Sequence, residues 1–112
     1  MREEDRMPSA LQQRVAPDEE ILASVLAGGV LVLITNRRVL VGDEWRVYLD
    51  VPIEGIRRVE YDIDSLNPAT LVIVPQNSSH RPQVLTVEPS EYSKAAAAVA
   101  ALGERLARIR AS

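Results

Sequence analysis

The sequence predicts a mostly β protein in which seven antiparallel strands are followed by one C-terminal amphipathic helix. Three patterns lead to this prediction. An apolar β-type run covers residues 30–41 and is interrupted only by a polar corner at 36–38, and apolar and polar residues alternate strictly over 44–51. After residues 88–89 the apolar period lengthens from two residues to about 3.6. Strands in hairpin order and a single terminal helix therefore define the expected fold class.

Length and composition indicate one domain with an aliphatic core. The 112 residues are enough for a single core, and 46% of them are hydrophobic. One Trp, three Tyr and no Phe leave Val, Leu, Ile and Ala to fill that core. The absence of Cys excludes disulfides and thiolate metal sites.

Charge and hydropathy indicate a cytoplasmic protein that does not bind nucleic acid. The net charge is −3 and the pI is near 5.1, so the chain gains nothing from counterion release on DNA or RNA. The first six residues lack the apolar stretch of a secretory signal. The apolar segment 21–34 falls short of the ~20 residues that span a bilayer.

The N-terminal residues 1–17 are predicted to be a loosely ordered arm, and residues 18–112 the folded domain. The arm is polar apart from Leu11 and Val15, whose spacing of four permits one or two helical turns after Ser9.

The first three strands are predicted at 19–27, 30–35 and 38–41. Gly28-Gly29 accepts the positive φ angles of a tight hairpin between the first two. Asn36 tolerates a left-handed conformation and is expected to make the next corner. A turn at 42–43 then leads to the fourth strand.

The fourth strand shows the clearest alternation and predicts one buried and one exposed face. Its expected core-facing residues are Trp45, Val47, Leu49 and Val51. After an interruption at 52–55, strands are predicted at 56–63, 70–74 and 83–87, and the first of these has Val59, Tyr61 and Ile63 on its apolar face.

The C-terminal segment is predicted to be a helix that plugs the sheet. Ser90 is the expected N-cap, with Glu91 in the first turn. Arg108 and Arg110 in the last turn suit the helix dipole. The apolar stripe consists of Tyr92, Ala95, Val99, Leu102, Leu106 and Ile109.

Three segments resemble the bacterial pleckstrin-homology-like domains. They are the acidic turn 17–21, the Thr-Asn-Arg-Arg corner within 33–40, and the Pro-Ile-Glu-Gly-Ile stretch within 51–59. The resemblance covers residues 17–110. It implies a partly open antiparallel barrel of seven strands, capped at one end by the helix, and often self-association into oligomers. It does not imply a known ligand.

The residues that could support catalysis or bind a metal form no recognisable motif. His80 lies in the 75–82 connection without an obvious partner. The acids at 18–20 lack calcium-ligand spacing, and Glu60, Asp62 and Asp64 are interpreted as an exposed acidic face. No phosphate loop, nucleophile elbow or zinc motif is present. The sequence therefore predicts a non-enzyme without a cofactor or metal.

Two arginine pairs, Arg37-Arg38 and Arg57-Arg58, are the candidate anion- or partner-binding residues, because guanidinium groups bind phosphate and carboxylate bidentately. The competing interpretation is structural. Residues 37–58 hold five Arg and four acids, so one Arg of each pair could instead pair with Glu44, Asp50 or Glu54.

Three functions are compatible with the sequence. The favoured one is a non-catalytic protein-interaction or assembly module, self-associating or bound to a protein partner. Residues 30–34 are apolar on both faces, and a small barrel of this kind is expected to expose its sheet edges. The second is peripheral membrane or anionic-ligand binding through the arginine pairs, although Gly28-Gly29 supplies no basic residue to the first hairpin. The third is catalysis, which would need a polar pocket or a metal around His80.

Overall fold

The structure, a computed structural model, describes residues 8–64 and 67–111. These residues form two antiparallel sheets and one long helix, in agreement with the predicted fold class. One sheet has the order β1-β2-β3-β4 and the other the order β5-β6-β7. The strands are β1 (Ile21–Ala27), β2 (Val30–Thr35), β3 (Arg38–Gly42), β4 (Val47–Pro52), β5 (Ile56–Asp62), β6 (Ala69–Pro75) and β7 (Gln83–Val87). The helices are the short α1 (Ser9–Gln12) and α2 (Tyr92–Ala111).

The first hairpin forms as predicted. Gly28 and Gly29 have φ angles of 59° and 81°, and they connect the paired residues Ala27 and Val30. Positive φ at both central residues is the geometry that matches the twist of the flanking strands. The prediction that glycine sets this turn is therefore confirmed.

The corner between β2 and β3 lies at Asn36 and Arg37, as predicted, but its backbone geometry differs from the expected one. Asn36 tolerates a left-handed conformation, but no described residue other than glycine has a positive φ, so the corner does not use one. The hydroxyl of Thr35 instead accepts hydrogen bonds from the backbone N–H groups of Arg37 and Arg38, at 3.1 and 2.9 Å. Asn36 forms two hydrogen bonds with Glu20, just before β1. Its backbone N–H donates to the Glu20 carbonyl, and its side-chain oxygen accepts from the Glu20 N–H.

The start of β4 also departs from the prediction. Trp45 precedes the strand and is 85% exposed, so its expected place in the core is wrong. The register shifts between β3 and β4, with Val41 opposite Leu49 but Gly42 opposite Val47. In a regular strand Val47 and Leu49 would share a face, but the extra residue interrupts the alternation. Leu49 therefore joins the main core while Val47 packs against a second apolar cluster on the other face.

The main core lies between the two sheets and α2. It is wholly aliphatic among its fully buried members and draws on every strand. Val59 and Tyr61 pack against it, as predicted from the alternation of β5. Ile63 was expected beside them, but β5 ends at Asp62 and Ile63 is 55% exposed.

Helix α2 covers this core, as the plug prediction requires. Its buried residues are Ala95, Ala98, Leu102 and Leu106. Tyr92 and Val99 are half-buried against the same cluster. Ile109 was expected in the stripe but is 41% exposed, because the end of the helix extends past the core.

The start of α2 differs from the predicted cap. Residues Pro89–Glu91 form a 3₁₀ turn and the α-helix begins at Tyr92, so Ser90 is not its N-cap. Glu91 instead accepts a hydrogen bond from the backbone N–H of Leu26 at 2.8 Å. This contact ties the helix start to β1, which is an edge strand.

A second apolar cluster lies on the outer face of the four-stranded sheet. Leu11 of α1 is fully buried there against Leu33 and Leu40. The described part of the predicted arm, residues 8–17, is thus anchored to the sheet, while residues 1–7 lie outside the described range. The domain boundary at residue 18 stays a prediction.

The role of α2 gives the first testable prediction. Leu102→Ala is expected to lower the free energy of unfolding by about 2–5 kcal/mol, because it removes a fully buried side chain and leaves a cavity. Ile109→Ala, in the same helix, should change it by less than about 0.5 kcal/mol. Urea titrations followed by circular dichroism measure both values, and equal losses would contradict the plug described above.

Candidate functional site

The connection between β3 and β4 holds an exposed tryptophan on a rigid turn. We call residues Asp43, Glu44, Trp45, Arg46 and Tyr48 the Trp45 turn. One carboxylate oxygen of Asp43 accepts hydrogen bonds from the backbone N–H groups of Trp45 and Arg46, at 2.8 and 2.9 Å. The other oxygen accepts the hydroxyl of Tyr48 at 2.8 Å. Three donors on one carboxylate fix the backbone that carries the indole.

Close backbone packing at Gly42 completes this turn. A Cβ atom at Gly42 would lie 2.7 Å from the carbonyl oxygen of Arg46 and 3.2 Å from Cα of Val47. The same carbonyl accepts the N–H of Asp43 at 3.0 Å. Only glycine leaves room for this arrangement, so the sequence Gly42-Asp43 specifies the turn.

Electrostatics favour the charged form of Asp43. Its hydrogen bonds to the hydroxyl of Tyr48 and to the backbone of Arg46 and Trp45 lower its pKa. The same contact raises the pKa of Tyr48, which keeps its hydroxyl a donor. The guanidinium of Arg46 lies 6.0 Å from the centre of the Tyr48 ring.

A buried carboxylate, Glu19, organises the opposite end of β3. It accepts hydrogen bonds from the backbone N–H of Ala16 at 3.0 Å and from the hydroxyl of Thr35 at 2.5 Å, and Nε of Arg38 lies 3.1 Å from it. Burial alone raises the pKa of Glu19. The hydrogen bonds and the neighbouring arginine charge outweigh burial, so the pKa lies below its usual value.

The four candidate arginines occupy different environments. Arg38 is held in the interior network, 3.1 Å from Glu19 and 3.6 Å from Asp50, and Arg14 of the N-terminal segment also binds Asp50 at 3.0 Å. Arg37 points elsewhere and pairs with the exposed Asp18 at 2.6 Å. Arg37 lies in the corner before β3 and Arg38 is the first residue of the strand, and the two side chains pair with different acids.

The second arginine pair lies on β5, in the other sheet. Arg58 is exposed and its Nε lies 3.4 Å from a carboxylate oxygen of Glu60. The backbone carbonyl of Arg57 accepts a hydrogen bond from Arg110 of α2 at 2.6 Å. The Arg57 guanidinium makes no ion pair within the described residues. Whether Arg37, Arg38, Arg57 or Arg58 binds an anion or partner stays a prediction.

A groove of about 400 Å³ brings Arg37 together with two arginines of α2. We call it the arginine groove. It lies between the β2–β3 corner, a 3₁₀ turn at Ile53–Gly55 and the last turns of α2. Its lining residues are Asn36, Arg37, Ile53, Glu54, Arg105, Arg108 and Ile109. Arg38, Arg57 and Arg58 are not among them.

The periodicity of the sequence does not predict the Trp45 turn or the arginine groove, for two different reasons. Asp side chains commonly form turns by accepting a hydrogen bond from the backbone N–H two residues later. The pair Gly42-Asp43 therefore indicates a turn that includes Trp45 and not a strand. Arg105 and Arg108 share a helix face by their spacing of three. Nothing local in the sequence places that face beside Arg37.

The remaining candidates show no catalytic arrangement. His80 is exposed in the β6–β7 connection, where its backbone N–H binds the carbonyl of Asn77. Within the described range, no three His, Cys, Asp or Glu side chains lie together as a metal site would require. None of the described helices combines the length and apolar character needed to cross a bilayer.

The element order and sheet topology can be compared with known proteins. A crystal structure of a pleckstrin homology domain from Shewanella amazonensis SB2B matches with a TM-score of 0.55 over 88% of this chain and 89% of that chain, at 18% sequence identity. The chain has a pleckstrin homology fold. No protein-family model matches the sequence, and no curated protein matches it either.

The pleckstrin homology fold confirms the predicted resemblance at the level of architecture. The two sheets share no hydrogen-bonded ladder in the described residues, which agrees with a partly open wall. The first hairpin of this pleckstrin homology fold turns through Gly28 and Gly29 and presents no basic side chain at its tip. At 18% identity the match shows the fold alone.

The packing at Gly42 yields the second prediction. Gly42→Ala should cost about 1–3 kcal/mol of unfolding free energy, because the new methyl group overlaps the Arg46 carbonyl. The backbone N–H groups of Trp45 and Arg46 should also exchange with deuterium faster, as their bonds to Asp43 loosen. Gly103→Ala is the control, because nothing lies within 4 Å of its Cβ, and it should stabilise α2 by up to ~1 kcal/mol. Unchanged exchange at Trp45 in Gly42→Ala would count against the described turn.

The buried carboxylate yields the third prediction. Glu19→Gln should lower the unfolding free energy at neutral pH by about 1–3 kcal/mol, because it removes a charged acceptor from Thr35 and Arg38. A lowered folded pKa means that this contribution is complete above the usual value of 4.5 and disappears as the pH falls through the folded pKa. The difference between wild type and variant should therefore shrink below about pH 4.5 in urea titrations. Glu88→Gln, at an exposed position, should show no such difference, and a pH-independent loss for Glu19→Gln would contradict the assignment.

Proposed function

We propose that this protein is a non-catalytic protein-interaction module that docks a protein partner through the Trp45 turn. The observation that supports the proposal is the 85% exposure of Trp45 on a turn whose backbone is fixed by Asp43. The expected partner is a protein with an apolar pocket that accommodates an indole ring.

Exposure of the Trp45 indole to water is unfavourable, and burial against a partner would remove that cost. A buried aromatic side chain removes about 150–250 Å² from solvent, which makes Trp a frequent source of binding energy at interfaces. The turn holds the backbone of Trp45 before any partner arrives. Binding therefore loses less conformational entropy than it would with a mobile loop.

The surroundings of Trp45 have the composition of an interface rim. Glu44 and Arg46 flank the indole and are exposed, and Tyr48 is 44% exposed nearby. An apolar centre inside a polar border is the usual arrangement of protein interfaces. The border also keeps the isolated domain from presenting a broad apolar surface.

Membrane attachment through this turn has less support. Asp43 and Glu44 carry two negative charges and Arg46 one positive charge, so the turn is net negative and would be repelled by anionic lipid. The arginine pairs give little support to membrane attachment, because two of their members already bind acids of the protein. Arg38 is held by Glu19 and Asp50, and Arg58 is paired with Glu60. Self-association through Trp45 is a distinct outcome of the experiment below.

The fourth prediction tests this function with Trp45→Ala. Proteins cross-linked in native cells to the wild-type chain should be recovered with Val84→Ala, which truncates another exposed apolar residue, but not with Trp45→Ala. A recovered partner is then purified and titrated. Because Trp45 is the only tryptophan of the chain, its emission should shift to shorter wavelength as the indole leaves water. The affinity should fall at least tenfold in Trp45→Ala, as expected for an interface residue that contributes more than about 1.4 kcal/mol.

Three results would overturn the proposal. A partner that binds Trp45→Ala as tightly as wild type places the interface elsewhere. Flotation of wild type, but not Trp45→Ala, with anionic vesicles would make the turn a membrane contact. Concentration-dependent dimerisation in sedimentation experiments that Trp45→Ala abolishes would identify a second copy of this chain as the occupant.

A further inference from the structure

We propose that the arginine groove binds a small organic oxyanion, a carboxylate or phosphate ester with an apolar portion. The groove is distinct from the Trp45 turn. Arg37 lies beside one end of β3 and the Trp45 turn follows the other end at Gly42, and the strand separates its first and last Cα atoms by roughly 13 Å. This inference therefore goes beyond the protein-docking function.

The groove walls are fixed by backbone contacts. The N–H of Ile53 donates a hydrogen bond to the carbonyl of Arg37 at 3.0 Å, which joins the 3₁₀ turn to the β2–β3 corner. The third wall is the α-helix, whose buried Leu102 and Leu106 anchor it to the core. Three rigid elements thus define a preformed concave surface, as small-molecule sites usually require.

The charges of the lining favour an anion. Arg37, Arg105 and Arg108 supply three positive charges to the groove, and Glu54 supplies the one carboxylate among its lining residues. Asp18 binds Arg37 at 2.6 Å and Glu104 binds Arg108 at 2.5 Å, and neither acid lines the groove. These acids orient the two guanidinium groups, while Arg105 makes no ion pair within the described residues.

Arg105 is the residue on which the inference depends. It is half-buried and lines the groove, where a guanidinium can bind both oxygens of a carboxylate or phosphate. Arginines near a helix C-terminus often complement the helix dipole, and this accounts for basic residues of α2. It does not account for Arg37, which reaches the same groove from a sheet corner.

The size and apolar contacts of the groove define the ligand class. A volume of about 400 Å³ is near the lower end of the range for small-molecule sites. Ile109 is 41% exposed and lines the groove, so it offers apolar surface beside the guanidinium groups. A ligand with a short hydrocarbon part should therefore bind more tightly than an inorganic ion of the same charge.

The fifth prediction is a titration of the protein with hexyl phosphate, hexanoate and inorganic phosphate, followed by amide chemical shifts. Hexyl phosphate or hexanoate, or both, should shift the amides of Arg37, Ile53 and Arg105, and hexyl phosphate should bind more tightly than inorganic phosphate. Arg105→Gln should weaken binding by roughly tenfold, the effect of losing one charge-assisted hydrogen bond. Glu54→Gln should strengthen binding severalfold at low salt, because it removes the competing carboxylate.

Matched control variants distinguish binding in the arginine groove from nonspecific attraction of an anion to positive charge. Arg81→Gln removes an exposed arginine in the β6–β7 connection and should leave the affinity unchanged. Trp45→Ala should also leave it unchanged, so failure of this inference and failure of the docking proposal can be told apart. Shifts spread over the whole surface, equal losses in Arg105→Gln and Arg81→Gln, or no tightening in Glu54→Gln would overturn the inference.

Discussion

The buried carboxylate of Glu19 is the interaction on which the arrangement of this domain depends. It joins three separate segments, because its donors are the backbone of Ala16, the hydroxyl of Thr35 and the guanidinium of Arg38. A buried charge without partners would cost several kcal/mol, so the three segments must assemble together. Glu19 and Thr35 are the two buried polar residues that the described part of the chain contains. The otherwise aliphatic core leaves this network as the directional contact that fixes the β2–β3 corner.

The fixed corner determines which arginine is available to a ligand. Thr35 holds the backbone N–H groups of both Arg37 and Arg38. Their guanidinium groups nevertheless pair with different acids, Asp18 for the first and Glu19 for the second. Arg38 completes the Glu19 network and continues it to Asp50 and Arg14. Arg37 is left on the side of the 3₁₀ turn and α2. The same corner therefore stabilises the fold through one arginine and supplies the groove with the other.

Sequence patterns predict the architecture of this domain but not the surfaces formed by the Trp45 turn and the arginine groove. The seven strands, the glycine hairpin and the terminal helix follow from local periodicity and turn chemistry, and the structure contains all of them. The errors at Trp45 and Ile63 share a cause, since each lies where a periodic pattern was extended past the end of its strand. Ile109 lies within α2, but at a point where the helix extends past the core. The proximity of Arg37 and Arg105 depends on tertiary packing over long sequence separation, which no local pattern encodes.

The position of Trp45 bears on function because the fold does not need it. The core between the sheets and α2 is closed by Val, Leu, Ile and Ala, and the largest side chain of the protein lies outside it. Gly42 and Asp43 nevertheless hold the backbone of Trp45 through close packing and hydrogen bonds. A small polar residue in place of Trp45 would expose less apolar surface to water. A rigid support under a residue that contributes nothing to the core is more easily explained by binding than by stability, because binding benefits from an aromatic side chain fixed in advance.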